Sequence, residues 1–540
     1  MKNRINPPTE FRIDKDNNYN WTSIFLAIVS GVMLFLSFPR YGCGIVAWFA
    51  FIPLLSALKR TQSIKQALLL GFITGLTSYI GIIYWIVYVI VNYGHLPVYL
   101  GVILMLLLAC YLSIYIAIFA AGIVYFRKKI SLYLIVPALW ICLEYCKSYL
   151  LTGFPWENLG YSQYDNFYLI QFADVLGVFG LSFLIVLVNV SLYEVITKRS
   201  RREYIKTTAV ILILACVYIY GIFRVDYINR EMKNASVPEM EVSLIQGNID
   251  QSIKWNENFQ KETLNIYEEL SLKNNPTVGG LIVWPETAVP FNFQDKNDLQ
   301  KQIINIPFKT KSNILFGSIS YSPKTNYVDF YNSAYLLSAD GEVKGKYDKV
   351  HLVPYGEYVP LRNLFPFINR LTAGIGDFGT GNGYFPLSLE GHKIGVLICY
   401  EGILSDAARM YKKESTELLV NITNDAWFGE TSAPFQHLSM TVFRAVETRL
   451  YLVRAANTGI SAIIDPRGKI VANTNIFQKE SLKGKIKFLT IPAFYALYGD
   501  ILVMFCFILS VLCFIWTWKG RKKYADGKYS RNNKWFKKKN

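Results

Sequence analysis

The chain has 540 residues and a formal net charge of +17, with 52% hydrophobic residues and only 18% charged residues. Soluble proteins carry about 25% charged residues, so this composition excludes a disordered chain and disfavours an ordinary soluble enzyme. The length allows two to four domains at roughly 100–200 residues each. The positive excess is typical of a partner such as nucleic acid or a membrane surface, and its distribution along the chain distinguishes the two.

Apolar runs dominate the pattern, at residues 21–38, 44–58, 66–91, 98–126, 130–151, 167–197, 207–223 and 501–518. About 20 apolar residues in a helix cross the hydrocarbon core of a bilayer, so these runs predict membrane spans. The second run is short and predicts a bent or partial span. We therefore expect seven spans within residues 21–223, and an eighth span after a long polar segment.

Basic residues concentrate in alternate loops, at 59–65, 127–129 and 198–206, and in the tail 519–540. Cytoplasmic loops are enriched in Lys and Arg, so both termini are predicted to be cytoplasmic. The enrichment of cytoplasmic loops in basic residues and the attraction of these loops to anionic lipid then explain the net positive charge, so no nucleic-acid partner is predicted. The predicted organisation is a cytoplasmic segment 1–20, a membrane domain 21–223, a connector 224–237, an outer domain 238–488, a connector with the last span 489–518, and a basic cytoplasmic tail 519–540.

The outer segment has the pattern of an α/β domain. Apolar runs predict buried strands at 242–245, 280–284, 314–318, 394–398 and 418–422, and amphipathic stretches predict helices at 256–273 and 436–456. Residues 330–337 and 343–347 predict a hairpin around the turn 339–342, and residues 465–468 predict a second turn. Strands that alternate with helices indicate a layered α/β fold.

Cys399 is the single cysteine of the outer segment, and the other seven cysteines lie in or beside predicted spans. A lone thiol in an oxidising compartment is either a reactive residue or a small buried one, and the count alone leaves both open. Cys399 ends the run 394–398 and precedes a predicted helix over 403–412. The N-terminus of that helix would stabilise a thiolate, so we expect a lowered pKa for Cys399.

Two charged residues complete a possible reactive set with this thiol. Glu286 follows a predicted strand end, and Lys349 follows the predicted hairpin. Each is by itself more typical of a solvated charge or an ion pair. Together with Cys399 they have the chemistry of acyl transfer: Glu286 accepts the thiol proton, the thiolate attacks a carbonyl carbon, and Lys349 stabilises the oxyanion.

These motifs resemble those of the nitrilase (carbon–nitrogen hydrolase) superfamily, and the chain as a whole resembles the bacterial apolipoprotein N-acyltransferase family. The matching motifs are Q-G-N at 246–248 with Trp255, W-P-E-T at 284–287, Lys349 with L-V-P-Y-G-E-Y-V-P at 352–360, C-Y-E at 399–401, N-D-A-W-F-G at 424–429, and G-F-P-W at 153–156. Tyr355 stands where many relatives carry Phe. The resemblance implies a polytopic α-helical membrane domain joined to an α-β-β-α sandwich.

The resemblance also implies roles for individual residues. Glu286 would be the general base, Lys349 the oxyanion stabiliser and Cys399 the acyl-carrying nucleophile, with neither a metal nor a soluble cofactor. The site would be supported by Glu357, Tyr400 and Glu401, and the substrate opening would be formed by Trp255 and Trp427.

The implied activity transfers an acyl chain from a phospholipid, typically phosphatidylethanolamine, to a Cys399 thioester. The α-amino group of a diacylglyceryl-cysteine apolipoprotein then accepts the chain in a ping-pong reaction. Both substrates are anchored in lipid, so the catalytic domain would sit on the periplasmic face of the bacterial inner membrane.

Two other functions stay open at this stage. The first is a membrane-tethered amidase, in which water replaces the amine. The second is a transporter with a receptor-like outer domain, which would require paired polar residues or inverted repeats within the spans. Glu144 and Lys147 lie one turn apart in the fifth predicted span, which indicates either a paired structural role or a role in lipid handling.

Overall fold

The computed structural model describes residues 20–61, 63–324, 327–354, 356–358 and 378–536, with backbone alone beyond residue 519. Helices form the N-terminal part, and an α/β domain follows before a last long helix. The predicted N-terminal segment, apart from Asn20, lies outside the described residues. So does Tyr355.

Within these ranges the N-terminal part contains eight helices: α1 (Trp21–Leu36), α2 (Ile52–Arg60), α3 (Ile64–Ile83), α4 (Trp85–Asn92), α5 (Val98–Phe126), α6 (Leu132–Tyr149), α7 (Ala173–Lys198) and α8 (Arg201–Lys233). Side-chain caps begin two of them. Asn20 Oδ1 accepts a hydrogen bond from Thr22 N at 3.0 Å at the start of α1. Ser200 Oγ accepts one from Glu203 N at 3.4 Å at the start of α8. Both contacts satisfy amides that have no partner inside the helix.

Six helices of the described chain are long and apolar enough to cross a membrane, which confirms a polytopic membrane domain. The run 44–58 does not form one helix, because a 3-10 turn over Gly44–Trp48 precedes the nine-residue α2. At 1.5 Å per residue α2 is about 14 Å long, well short of a bilayer core of about 30 Å. Helix α8 continues to Lys233, so most of the predicted connector 224–237 is helical. The seven-span count and the orientation stay predictions.

The outer domain has two sheets. Its strands are β1 (Glu239–Gln246), β2 (Leu281–Val283), β3 (Val289–Asn292), β4 (Asn313–Pro323), β5 (Val328–Leu337), β6 (Val343–Asp348), β7 (Leu387–Leu389), β8 (His392–Ile398), β9 (Leu418–Thr423), β10 (Tyr451–Ala456), β11 (Ala462–Ile464), β12 (Ile470–Asn473) and β13 (Glu480–Lys487). Its helices are α9 (Glu257–Lys273), α10 (Asp298–Thr310), α11 (Ser405–Lys413), α12 (Ala433–Thr448) and α13 (Phe494–Tyr498), and α14 (Ile501–Phe536) follows.

The strand order is β13-β1-β2-β4-β5-β6 in the first sheet, where β3 also pairs with β4, and β12-β11-β10-β9-β8-β7 in the second. Each sheet has a parallel centre, β1-β2-β4 and β8-β9-β10. Inner residues of both sheets share one buried core, including Leu244, Leu315, Val396, Val420 and Val453. Parallel strands covered on both faces read as continuous apolar runs, which is why the sequence identifies them. The layered α/β fold, the hairpin β5–β6 and the turn 465–468 are confirmed.

The predicted helix over 436–456 is wrong in its last third. Helix α12 ends at Thr448, Arg449 takes a left-handed φ of 57°, and residues 451–456 form β10. The Arg449 guanidinium holds the turn, because Nε donates to Asp174 Oδ2 at 2.9 Å and Nη1 donates to Gln171 Oε1 at 2.6 Å. Asp174 and Gln171 are distant from Arg449 in sequence, so no local pattern predicts this turn.

The outer domain is docked on the membrane domain through buried contacts. Trp156 Nε1 donates to Gln436 Oε1 of α12 at 2.8 Å, and the Trp85 ring packs against Phe428 with centroids 5.0 Å apart. Glu144 and Lys147 of α6 contact the loop that contains Trp156. Glu144 Oε1 accepts a hydrogen bond from Leu159 N at 2.6 Å, and Lys147 Nζ donates one to Trp156 O at 3.0 Å. Their contacts therefore fit the structural interpretation of this pair.

Candidate active site

The predicted triad comes together where strands of both sheets end. Glu286 lies just past β2, Lys349 directly follows β6, and Cys399 directly follows β8. Lys349 Nζ lies 3.8 Å from Glu286 Oε1. Cys399 is close enough for the charges of Glu286 and Lys349 to act on its thiol. Residues that are 63 and 50 positions apart in the chain thus form one cluster.

Cys399 directly follows β8 and is the first residue of a 3-10 turn over Cys399–Ile403. Its φ of 53° is in the left-handed region, which costs a non-glycine residue free energy and is common at functional sites. Burial raises the pKa of the Cys399 thiol above its ordinary value, and the Glu286 carboxylate adds to this effect. The expected lowering of this pKa is therefore wrong, because desolvation outweighs the end of a short helical turn. The resting thiol is neutral and needs a base.

Glu286 is buried and its two carboxylate oxygens are separately held. Oε1 accepts from Asn332 Nδ2 at 2.8 Å, and Oε2 accepts from Asn424 N at 2.9 Å. The backbone packs tightly here: a Cβ on Gly317 would lie 2.7 Å from Glu286 Cα. Only a glycine at position 317 of β4 leaves room for the backbone of Glu286 at this distance. The carboxylate is thus oriented by groups from both sheets.

Lys349 is buried between two carboxylates. Nζ donates to Glu357 Oε1 at 2.9 Å, and Asn332 Nδ2 donates to the same oxygen at 2.9 Å. Burial alone would lower the pKa of Lys349, but the charges of Glu357 and Glu286 outweigh it and raise this pKa above its ordinary value. Lys349 is therefore a permanent cation, as an oxyanion stabiliser requires. The predicted supporting position of Glu357 agrees with these contacts.

Glu401 ties the nucleophile's turn to the segment after Lys349. It accepts hydrogen bonds from Ile398 N at 2.8 Å, Val350 N at 2.8 Å and His351 N at 3.0 Å, and from the Tyr347 hydroxyl at 2.9 Å. Burial raises the pKa of Glu401 to about 7. This carboxylate therefore connects the end of β8 to the segment that follows β6.

The other three predicted residues lie around the cluster. The Tyr400 ring stacks on His351, with centroids 5.8 Å apart. Trp427 packs edge-on against Tyr93, which follows α4, at 4.7 Å, so it joins the α/β domain to the membrane domain. Trp255 is 44% exposed and does not pack into the core. The role of both tryptophans at a substrate opening stays a prediction.

Sequence reasoning missed a buried polar network under the nucleophile. His437 Nε2 lies 3.2 Å from the Cys399 carbonyl oxygen, and Nδ1 lies 3.0 Å from Asp425 Oδ1. Arg454 Nη2 donates to Asp425 Oδ2 at 2.7 Å. A carbonyl oxygen only accepts, so Nε2 carries a proton in this contact. Asp425 belongs to the motif 424–429, but its role depends on residues from α12 and β10 that no spacing connects.

Asn332 and Lys254 were also missed. Asn332 bridges Glu286 and Glu357 from the middle of β5, where its sequence context is that of an ordinary strand residue. Lys254 is buried, although it precedes an exposed tryptophan and resembles a surface lysine. Among the described residues, no group of three or more His, Cys, Asp or Glu side chains is arranged to hold a metal ion.

The fold and the cluster define a carbon–nitrogen hydrolase domain carried on a membrane domain. The sequence profile of the carbon–nitrogen hydrolase family matches residues 241–493, and that of the apolipoprotein N-acyltransferase N-terminal domain matches residues 30–191. The chain belongs to the apolipoprotein N-acyltransferase family.

Relatives match along most of the chain. The apolipoprotein N-acyltransferase of Geobacter metallireducens is 46% identical over 498 residues, which cover 89% of this chain and 92% of the relative. That of Rickettsia prowazekii is 32% identical, with coverage of 91% and 96%. Among solved structures, Nit3 of Saccharomyces cerevisiae, a member of branch 10 of the nitrilase superfamily, is 19% identical with a TM-score of 0.37, over 49% of this chain and 95% of Nit3.

Proposed function

We propose that this protein transfers an acyl chain from a membrane phospholipid to the α-amino group of the N-terminal diacylglyceryl-cysteine of an apolipoprotein. Cys399 carries the chain as a thioester between the two half-reactions. The observation that carries the proposal is the cluster of the half-buried Cys399 with the buried Glu286 and Lys349, in a domain that packs on membrane helices. Family membership supports the same reaction.

The first half-reaction begins with proton transfer. Glu286 takes the proton from the neutral Cys399 thiol, and the thiolate attacks the ester carbonyl carbon of the phospholipid. Lys349 stabilises the tetrahedral oxyanion, because its ammonium is a permanent charge beside the base. The ester bond then breaks, the thioester forms, and Glu286 returns its proton to the leaving lysophospholipid alkoxide.

The second half-reaction uses the same groups. The α-amino nitrogen of the acceptor attacks the thioester carbonyl, and Glu286 removes the amine proton. Collapse of the oxyanion expels the Cys399 thiolate, which regains a proton, and the acyl chain stays on the lipoprotein as an amide. The buried position of the site protects the thioester from water while the acceptor arrives.

The positions of both substrates follow from their chemistry. Each carries acyl chains in the bilayer, so a domain fixed to membrane helices raises the local concentration of both at the thiol. We propose phosphatidylethanolamine as the donor, a periplasmic catalytic domain and cytoplasmic termini. The basic loops at 59–65, 127–129 and 198–206 support this orientation.

The test is a reconstituted reaction with phospholipid labelled in its acyl chain and a diacylglyceryl-cysteine peptide. Label in the peptide amide supports the proposal. Release of free fatty acid with an unmodified peptide would instead support the amidase-like alternative. Mass spectrometry of the Cys399 peptide after exposure to lipid alone should detect one added acyl chain, and comparing phosphatidylethanolamine with phosphatidylglycerol tests the donor.

A further inference from the structure

Lys254 is a buried cation beside the active site that the proposed reaction has not used. Lys254 is 1% exposed, and its Nζ donates to Thr287 Oγ1 at 2.6 Å and to the Glu286 carbonyl oxygen at 3.3 Å. Nζ also lies over the Trp255 ring, 6.0 Å from its centroid. Neither acceptor is a carboxylate, and the residues described by the structure place no other acceptor on Nζ. A buried charge without a counter-ion is costly, so its position needs an explanation.

The local backbone directs this ammonium inward. Lys254 N donates to Asp250 O at 3.2 Å in the turns that follow β1, and the next residue, Trp255, faces outward. The two hydrogen bonds of Nζ go to the Glu286 carbonyl oxygen and to the Thr287 side chain, and Thr287 has a left-handed φ of 45°. Lys254 therefore supports the backbone that carries the base.

Lys254 adds a second cation to a site with several carboxylates. Lys349 is closest to Glu357, at 2.9 Å, lies 3.8 Å from Glu286, and also acts on Glu401. With Lys254 present, the negative charge that moves from Glu286 to sulfur stays beside a cation. Burial lowers the pKa of Lys254 to about 8, while the charges of Glu286 and Cys399 act to raise it. Lys254 is thus mainly protonated at neutral pH.

We propose that Lys254 is a positioning residue that fixes the Glu286–Thr287 peptide and supplies the counter-charge for proton transfer between Cys399 and Glu286. The inference deepens the proposed function and rests on the role of Glu286 as the base. In this step the S–H bond of Cys399 breaks and an O–H bond forms on Glu286. The ammonium of Lys254 keeps its own protons and favours the ionised form of the base before the transfer and the thiolate after it.

The experiment measures thiol activation without acyl transfer. The full-length protein in detergent is treated with iodoacetamide between pH 5 and pH 9, and the alkylation rate of the Cys399 peptide is followed by mass spectrometry. The variants are Lys254→Met and Lys254→Arg. Lys412→Met is the matched control, because burial also lowers the pKa of Lys412, at the far end of α11, to about 8.

Loss of the charge in Lys254→Met should lower the alkylation rate about tenfold at pH 7 and below, where Lys254 of the wild-type protein is protonated. The difference should shrink between pH 8 and pH 9, because the wild-type Lys254 then loses its own proton. Lys254→Arg, which keeps the charge, should restore most of the rate, and Lys412→Met should match the wild-type profile. A purely structural role would lower the rate equally at every pH. Should Lys254→Met fail to fold, Lys254→Gln replaces it, because its amide can still donate to Thr287.

A wild-type rate in the neutral variants, a loss in them that does not change with pH, or an equal loss in Lys254→Arg would overturn the proposal. The outcome is independent of the acyl acceptor. A pH-dependent loss of rate in Lys254→Met, found in a protein that transfers no acyl chain, would refute the proposed function and leave the role of Lys254 supported. A wild-type profile in Glu286→Gln would show that Glu286 is not the base, and it would refute the inference about Lys254 as well.

Discussion

Replacement of Lys349 by methionine should separate the electrostatic part of catalysis from the architecture of the site. The ammonium lies 3.8 Å from Glu286 and 2.9 Å from Glu357. At an effective dielectric constant of about 20, these distances correspond to attractions of about 4 and about 6 kcal/mol. Without Lys349, the carboxylates of Glu286 and Glu357 share the single Asn332 amide and lose the cation that lies between them.

Two effects should then combine in Lys349→Met. Loss of one oxyanion donor costs about 10²–10³-fold in rate. Loss of the cation should also disfavour the Cys399 thiolate and lower the rate further. The assay is single-turnover acylation of Cys399 by phospholipid, followed by mass spectrometry of the Cys399 peptide. We expect at least a 10²-fold loss.

The double variant Lys349→Met/Glu357→Gln provides the control. It removes a positive and a negative charge together, so it should recover most of the thermal stability that Lys349→Met loses, because a buried pair costs most when only one partner is removed. It should not recover acylation, because the oxyanion still lacks its cation. Acylation of Lys349→Met at the wild-type rate, or its return in the double variant, would refute the assignment of Lys349.

Three further predictions concern neighbouring residues. Cys399→Ala should abolish the acyl adduct, whereas Cys43→Ala, which changes an exposed thiol, should not; mass spectrometry of the intact protein compares them. His437→Gln should slow iodoacetamide alkylation of Cys399 by about 5- to 30-fold, because the contact with the Cys399 carbonyl weakens by about 1–2 kcal/mol; an unchanged rate would show that this contact does not position Cys399. Glu401 has an ordinary pKa of 4.5 and a pKa of about 7 in the folded protein, so the folded state binds its proton more tightly than the unfolded state. Its contribution to stability is therefore present at low pH and is lost as the pH rises from about 4.5 to about 7, by about 3 kcal/mol. The thermal midpoint of the wild-type protein, compared with Glu401→Gln at pH 5 and pH 8, should show this loss; a difference independent of pH would count against it.

Several features of the chain could be predicted because their physical causes are local. A helix in a bilayer must present about 20 apolar residues in succession, so the spans are visible in composition. Strands buried on both faces are continuous apolar runs, and those of β1, β2, β4, β8 and β9 are all identifiable. Local patterns failed where the cause was distant, as in β10, whose entry depends on Arg449 and its contacts with Gln171 and Asp174.

The candidate site divides in the same way. Motifs at predicted strand ends select Glu286, Lys349 and Cys399, and the structure brings these three residues together. The ionisation states of these groups could not be predicted as well from the sequence. The expected low pKa of Cys399 was wrong, because a helix terminus is visible in the sequence and the burial of the thiol is not. Asn332 and His437 were missed, because each is defined only by what it contacts.

The amino-acid sequence by itself determined the class of the protein, the order of its membrane and α/β parts, and the three residues proposed as the reactive set. These depend on apolar run length and on motif spacing, which are properties of the chain alone. Only the tertiary structure decided the protonation of the thiol, the ion pair of Lys349 with Glu357, and the burial of Lys254. These depend on distances and solvent exclusion that arise when two sheets and a membrane domain close around the site, since electrostatic energy is set by separation in space and not by separation in sequence.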